Sequence, residues 1–181
     1  MEIRFLHKYP RLLIPIGFFG GLLLGVIARL WMRWISTTPE FSWGGTLGIV
    51  IGFGIFGMAQ AGVHIYVSKR HSKLRTNLLR SIGVIFSLQL FMAAGAIMFP
   101  TVLTGALSAW RREWAGWLRL ALLGISITFA ALIIKAEILD EFGLDIVTVG
   151  RILLMIGIYA CIIRALKATV SKSVRAPAEM S

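Results

Sequence analysis

Hydrophobic residues fill five stretches of the chain, each about 20 residues long and nearly free of charge. A helix of that length rises about 30 Å, which is the thickness of the hydrocarbon core of a bilayer. The stretches occupy residues 12–34, 45–67, 82–104, 118–137 and 146–164. Because backbone in lipid must satisfy its own hydrogen bonds, and the alternation of barrel strands is absent, the pattern predicts an all-α fold. We expect a polytopic transmembrane helical bundle of about five membrane segments.

The composition favours one membrane domain over a soluble protein. Of the 181 residues, 57% are hydrophobic and 15% are charged, and the mean hydropathy is +0.83. These values lie outside the range of soluble domains, so residues 1–181 are expected to form a single membrane domain. The net charge of +11 is typical of a membrane protein whose cytoplasmic loops face anionic lipid headgroups. The expected partner is therefore the lipid bilayer, and no nucleic acid.

The distribution of charge predicts an orientation but conflicts with five full crossings. Basic residues cluster in the N-terminal segment 1–11, the loop 68–80, the segment 105–119 and the tail 165–181, which we expect to be flexible. The positive-inside rule places the N-terminus in the cytoplasm and the linker with Glu40 outside. A complete, kinked third span would then place segment 105–119 outside, against the rule. The alternative is four spans plus a re-entrant segment at 82–109, broken near Gly95 or Pro100.

The segment 105–118 predicts an interfacial amphipathic helix. On a helical wheel, one narrow arc holds Leu103, Leu107, Trp110, Trp114 and Trp117, and the opposite side holds Ser108, Arg112 and Arg119. Tryptophan is enriched at headgroup depth, so we expect this helix to anchor the protein at the membrane surface.

Glycines repeat at a spacing of four in the first two spans. One row is Gly17, Gly21 and Gly25, and the other is Gly44, Gly48 and Gly52. Small residues at this spacing let helix backbones approach closely in lipid, where packing must supply the attraction. Two such rows in consecutive spans predict a tightly packed antiparallel hairpin. The alternative use is a seam between copies of the chain or with a membrane-protein partner.

Steps of four from the first row reach Arg29 and Arg33, so these arginines are predicted to face the second helix. Glu40 is expected near the start of that helix, in its first turn, and is the nearest acidic residue. A salt bridge that fastens the hairpin is one interpretation; a guanidinium that binds an anion or a lipid headgroup is the other. The flanking tryptophans are expected to be interfacial anchors: Trp31, Trp34 and Trp43. In the second span, Gln60 and His64 are candidates for a proton relay or for interhelical hydrogen bonds.

The segment from Gly25 to Gly54, with "ARLWMR" followed by "PEFSW" and a second helix that begins at "GTL", resembles a group of uncharacterised bacterial multi-pass membrane proteins of actinobacterial type. The resemblance covers the first two spans. It implies an integral location in the bacterial cell (inner) membrane and no defined activity. Its signature positions are Ala28, Arg29, Trp31, Met32, Arg33, Pro39, Glu40, Phe41 and Trp43.

The chain carries no phosphate-binding glycine loop, no HExxH and no GxSxG motif, so we expect a protein that is not an enzyme and has no cofactor or metal site. The primary hypothesis is a structural or accessory membrane protein that packs through glycine-rich helix faces. The alternative is a small transporter or channel-like protein in which Arg29, Arg33 and Glu40 form a polar cluster that handles anions or protons.

Overall fold

The computed structural model describes residues 12–36, 42–68, 78–85, 87 and 98–170. Over these residues the chain is helical and contains no strand. The helices are α1 (Leu13–Trp34), α2 (Trp43–Ser68), α3 (78–85), α4 (Met98–Trp110), α5 (Gly116–Ile134), α6 (Ile146–Ala165) and α7 (Lys167–Val170). A π-helical turn, Lys135–Leu139, and a last α-helical turn, Asp140–Phe142, extend α5.

Four helices of the described part are long and apolar enough to cross a membrane: Leu13–Trp34, Trp43–Tyr66, Gly116–Phe142 and Ile146–Ala165. They coincide with four of the five predicted segments, and the all-α helical bundle is confirmed. Of the third predicted segment, residues 86 and 88–97 lie outside the described residues. Its described C-terminal part is α4, which at 13 residues is about 20 Å long and shorter than the hydrocarbon core.

Helix α6 packs against two antiparallel helical hairpins. α1 pairs with α2, and α4 pairs with α5, where Ser126 Oγ donates to Thr101 O at 2.8 Å. Each hairpin also supplies a tryptophan to α6: Trp31 Nε1 donates to Arg151 O at 2.9 Å, and Trp110 Nε1 donates to Ile163 O at 2.8 Å. The core therefore lies around α6, and its largest fully buried side chains include Phe53, Phe56, Val102, Ile138, Met155, Ile158 and Ile162.

The prediction of one amphipathic helix over 105–118 is wrong. α4 ends at Trp110, residues 111–115 form a turn, and α5 begins at Gly116. Ser108 and Arg119 close this turn from both sides: Ser108 Oγ donates to Arg119 O at 2.8 Å, and Arg119 Nε donates to Ser108 O at 3.0 Å. The helical wheel failed because it assumed that the helix continues, whereas the chain reverses so that α4 can pack on α5.

The start of the predicted flexible tail is also ordered. Residues 167–170 form α7, and Leu166, Thr169 and Val170 are buried. Residues 171–181 lie outside the described residues. The first residues of the predicted tail therefore form a helix that packs on the bundle.

Charges separate between the two ends of the bundle. The basic end, where α4 and α6 finish and α5 begins, carries six basic residues and one acidic residue among those described: Arg80, Arg111, Arg112, Arg119, Arg164, Lys167 and Glu113. The mixed end, where α1 finishes and α6 begins, carries four of each sign: Arg29, Arg33, Lys135, Arg151, Glu137, Asp140, Glu141 and Asp145. Residues of α3 and Arg111 line one common cleft, so the two ends of segment 82–109 lie at the basic end.

Candidate functional site

The first glycine row lies directly against α2. A Cβ added to Gly17 would lie 2.5 Å from Gly57 O, and one added to Gly25 would lie 2.9 Å from Phe53 Cβ. At Gly21 an added Cβ would overlap Phe53 O. Only glycine lets the two backbones approach this closely, so the row sets the distance between α1 and α2.

The second glycine row does not face α1, and the prediction that the two rows pack together is wrong. Gly48 and Gly52 have no described atom within 4 Å of an added Cβ, and for Gly44 the nearest such atom is Ser42 Oγ at 3.9 Å. The face of α2 that packs on α1 instead carries Gly54 and Gly57. The sequence contains this second pattern of small residues as well.

Arg29 reaches α2 from the last turns of α1. Its Nε donates to Thr46 Oγ1 at 3.2 Å, and the side chain is half-buried. Arg33 is exposed. Glu40 lies outside the described residues, so its pairing with either arginine stays a prediction.

Trp31 is 3% exposed and belongs to the core, which corrects its assignment as an interfacial anchor. Its indole N–H needs a hydrogen-bond acceptor when it is buried, and the carbonyl of Arg151 supplies it. Trp34 is exposed, and its ring lies 5.7 Å from the guanidinium carbon of Arg151. The same carbon lies 3.7 Å from the ring centre of Phe142, so Arg151 is held between aromatic rings of α1 and of the extension of α5.

The other anchor tryptophans differ in exposure. Trp43 and Trp117 are 71% and 72% exposed, as expected of interfacial anchors. Trp110 is half-buried, binds the carbonyl of Ile163 and lies 5.0 Å from Lys167 Nζ. Trp114 is also half-buried, in the turn between α4 and α5.

A small cavity lies beside the Arg151 cluster at the mixed end. It measures about 260 Å³ and is lined by Met32, Ile35, Ser36, Glu137 and Glu141. The two glutamates are exposed and lie in the π-helical turn and the α-helical turn that extend α5. With Arg29, Arg33 and Arg151 nearby in the fold, this end offers charges of both signs. Such an arrangement suits contact with zwitterionic headgroups or with a charged partner segment.

Gln60 is 4% exposed and joins three helices by hydrogen bonds. Its Nε2 donates to Ser87 Oγ at 3.2 Å and to Gly83 O at 3.4 Å, and its Oε1 accepts from Thr169 Oγ1 at 2.5 Å. The sequence did not indicate these partners, which lie up to 109 residues away. His64 is exposed one turn further along α2, so the two predicted relay residues occupy different surroundings.

No protein-family model, curated protein or solved structure matches this chain. The resemblance to uncharacterised actinobacterial-type membrane proteins therefore stays a prediction that rests on the signature positions themselves.

Proposed function

We propose that the chain is a non-enzymatic integral membrane protein that acts as a structural or accessory component and associates with a second membrane helix through α2. The observation that carries this proposal is the outward-facing glycine row Gly44, Gly48 and Gly52. Its neighbours Leu47 and Ile51 are also exposed, so the face is apolar. Small residues on an apolar face allow close helix contact, while the opposite face of α2 already packs on α1.

Disulfide cross-linking in native membranes tests this association. Gly48→Cys, in a chain whose Cys161 is replaced by serine, is expected to cross-link to a second copy or to a partner helix. Gly20→Cys is the matched control, because Gly20 is an exposed glycine of α1 that likewise has no described atom near an added Cβ. Cross-linking restricted to Gly48→Cys supports the proposal. Equal cross-linking at both positions, or none at Gly48→Cys, contradicts it.

The second candidate function is a small transporter or channel-like protein that handles anions or protons near Arg29, Arg33 and Glu40. The hydrogen bond from Arg29 to Thr46 favours it, since the guanidinium points toward protein. Flux measurements on proteoliposomes separate the two functions. Solute or proton flux that is abolished by Arg29→Gln, in a variant that still folds, would replace the accessory function by transport.

We further propose that the N-terminus is cytoplasmic, and that segment 82–109 enters and leaves the membrane on the cytoplasmic side. The excess of basic residues at one end of the bundle supports this orientation. Both ends of segment 82–109 lie at that basic end, which supports the re-entrant alternative. Cysteines at Arg112 and Ser173 should be labelled from the cytoplasmic side, and a cysteine at Ser36 from the outside. Labelling of Arg112 and Ser36 from the same side would contradict the re-entrant segment, and labelling of Ser36 from the cytoplasmic side would contradict the cytoplasmic N-terminus.

A further inference from the structure

An open cleft of about 420 Å³ lies at the basic end, between α3, the turn after α4, and α7. The residues that line it are Arg80, Ser81, Val84, Ile85, Arg111 and Thr169. Its volume falls within the range of small-molecule sites in proteins. The sequence did not single out this cleft, because its walls come from segments that are far apart in the chain.

The cleft brings two guanidinium groups together. Burial, followed by the positive charge of Arg111, lowers the pKa of Arg80 from its ordinary value, and Glu113 opposes this effect. Glu113 also accepts a hydrogen bond from Arg111 Nη1 at 3.2 Å. Arg111 Nε is buried and has no hydrogen-bond partner among the described residues. Two arginines and one carboxylate leave a positive cleft that a bound anion would stabilise.

The wall beside the arginines is apolar. Val84 and Ile85 of α3 line the cleft and are exposed. The basic end also carries two cation–aromatic pairs: Lys167 with Trp110 at 5.0 Å, and Arg111 with Trp114 at 5.6 Å. Tryptophan and basic residues are typical of headgroup depth, and an anionic group beside an apolar surface matches an amphiphile better than a free ion.

We propose that this cleft binds the phosphate group of an anionic phospholipid, with Arg80 and Arg111 contacting the phosphate and with Val84 and Ile85 contacting the acyl chains. Planar guanidinium groups suit phosphate oxygens because they donate in pairs. The site is independent of the outer glycine face of α2, so association through α2 can fail without affecting it.

Native mass spectrometry of the full chain tests the site. The protein is released from vesicles of equal phosphatidylglycerol and phosphatidylcholine content, and the ratio of the two retained lipids is measured. The wild type is expected to retain phosphatidylglycerol preferentially. Arg80→Gln and Arg111→Gln each remove one charged guanidinium with its hydrogen-bond donors, so each should lower this preference about tenfold. Arg112→Gln is the matched control, since Arg112 is exposed beside Arg111 but does not line the cleft.

The outcomes are distinct. Equal losses in Arg80→Gln and Arg112→Gln would show only diffuse attraction to anionic lipid and would overturn the site. Displacement of the retained phosphatidylglycerol by inorganic phosphate would show that a free anion is the ligand and would overturn the lipid as occupant. If Arg80→Gln fails to fold, Arg80→Lys keeps the charge and should still retain less phosphatidylglycerol than the control. Retention equal to that of the control would contradict the proposal.

Discussion

Replacing Gly21 by alanine tests whether the contact between α1 and α2 stabilises the fold. An added Cβ would overlap Phe53 O and would lie 2.9 Å from Phe53 C and 3.0 Å from Gly54 Cα. All three atoms belong to the backbone, so no side-chain rotation can relieve the overlap. The helices must instead separate by about 1 Å, and such a gap forfeits about a quarter to a half of the dispersion energy of each atom pair across it.

The expected magnitude follows from two opposing effects. Overpacking a close contact costs about 1–3 kcal/mol, whereas alanine gains about 1 kcal/mol over glycine in helix propensity. Gly52→Ala is the matched control on α2, because an added Cβ there meets no described atom within 4 Å. That variant should gain the propensity without the clash. The free energy of unfolding of Gly21→Ala should therefore lie about 1–3 kcal/mol below that of Gly52→Ala.

Unfolding of the full chain in mixed micelles, by titration with sodium dodecyl sulfate, provides the measurement. Loss of helix is followed by far-UV circular dichroism, and tryptophan fluorescence serves as a second probe of the same transition. Free energies of unfolding for the two variants that agree within about 0.5 kcal/mol would refute the close backbone contact at Gly21. A large loss in Gly52→Ala alone would place the contact on the other face of α2.

Three further substitutions have defined outcomes. Trp31→Phe removes the second hydrogen bond to a carbonyl of α6 and leaves a cavity beside the smaller ring, so it should lower the free energy of unfolding by about 1–3 kcal/mol. The exposed Trp34→Phe should change it by less than about 0.5 kcal/mol, and equal effects would contradict this. Gln60→Leu removes the bonds to α3 and α7, so amide hydrogen exchange in α7 should accelerate, while His64→Leu should leave it unchanged. The pKa of Asp145 is lowered from 3.8, chiefly because its carboxylate accepts the hydrogen bond from the backbone N–H of Thr148 that caps α6. Its contribution to stability is therefore present above about pH 4 and is lost as the pH falls through the lowered pKa. Asp145→Asn should weaken this acid dependence of the melting temperature, and an identical acid dependence in both proteins would contradict the cap.

Helices that span a bilayer are predictable because the solvent fixes their length and composition. The apolar runs near 12–34, 45–67, 118–137 and 146–164 correspond to the four candidate spans. The orientation of each helix about its axis is less predictable. On α2, Gly44, Gly48 and Gly52 recur at steps of four, while Gly54, Gly57 and Ala61 recur at steps of three and four, and both spacings place small residues on one helix face. Only the second set packs on α1, and lipid-facing and protein-facing residues of α2 are equally apolar.

The long-range hydrogen bonds could not be predicted from the sequence, for a different reason. A tryptophan near the end of a span is usually an interfacial anchor, and Trp31 satisfied that pattern. Its acceptor, the carbonyl of Arg151, lies 120 residues away in the chain. A backbone carbonyl has no residue type, so no sequence pattern marks it as an acceptor. The same argument applies to Gln60, one of whose acceptors is Gly83 O.

The two tryptophan bonds explain how a bundle without a hydrophobic drive between its helices keeps one arrangement. Lipid is as apolar as the helix surfaces, so apolar contact alone specifies neither the depth nor the rotation of α6. Trp31 of one hairpin and Trp110 of the other bind carbonyls of Arg151 and Ile163, which are about 18 Å apart along the helix. Two directional bonds at that separation fix the depth and tilt of α6 relative to both hairpins. The outer glycine face of α2 and the cleft at the basic end are thereby fixed in position relative to each other, although they belong to different helices.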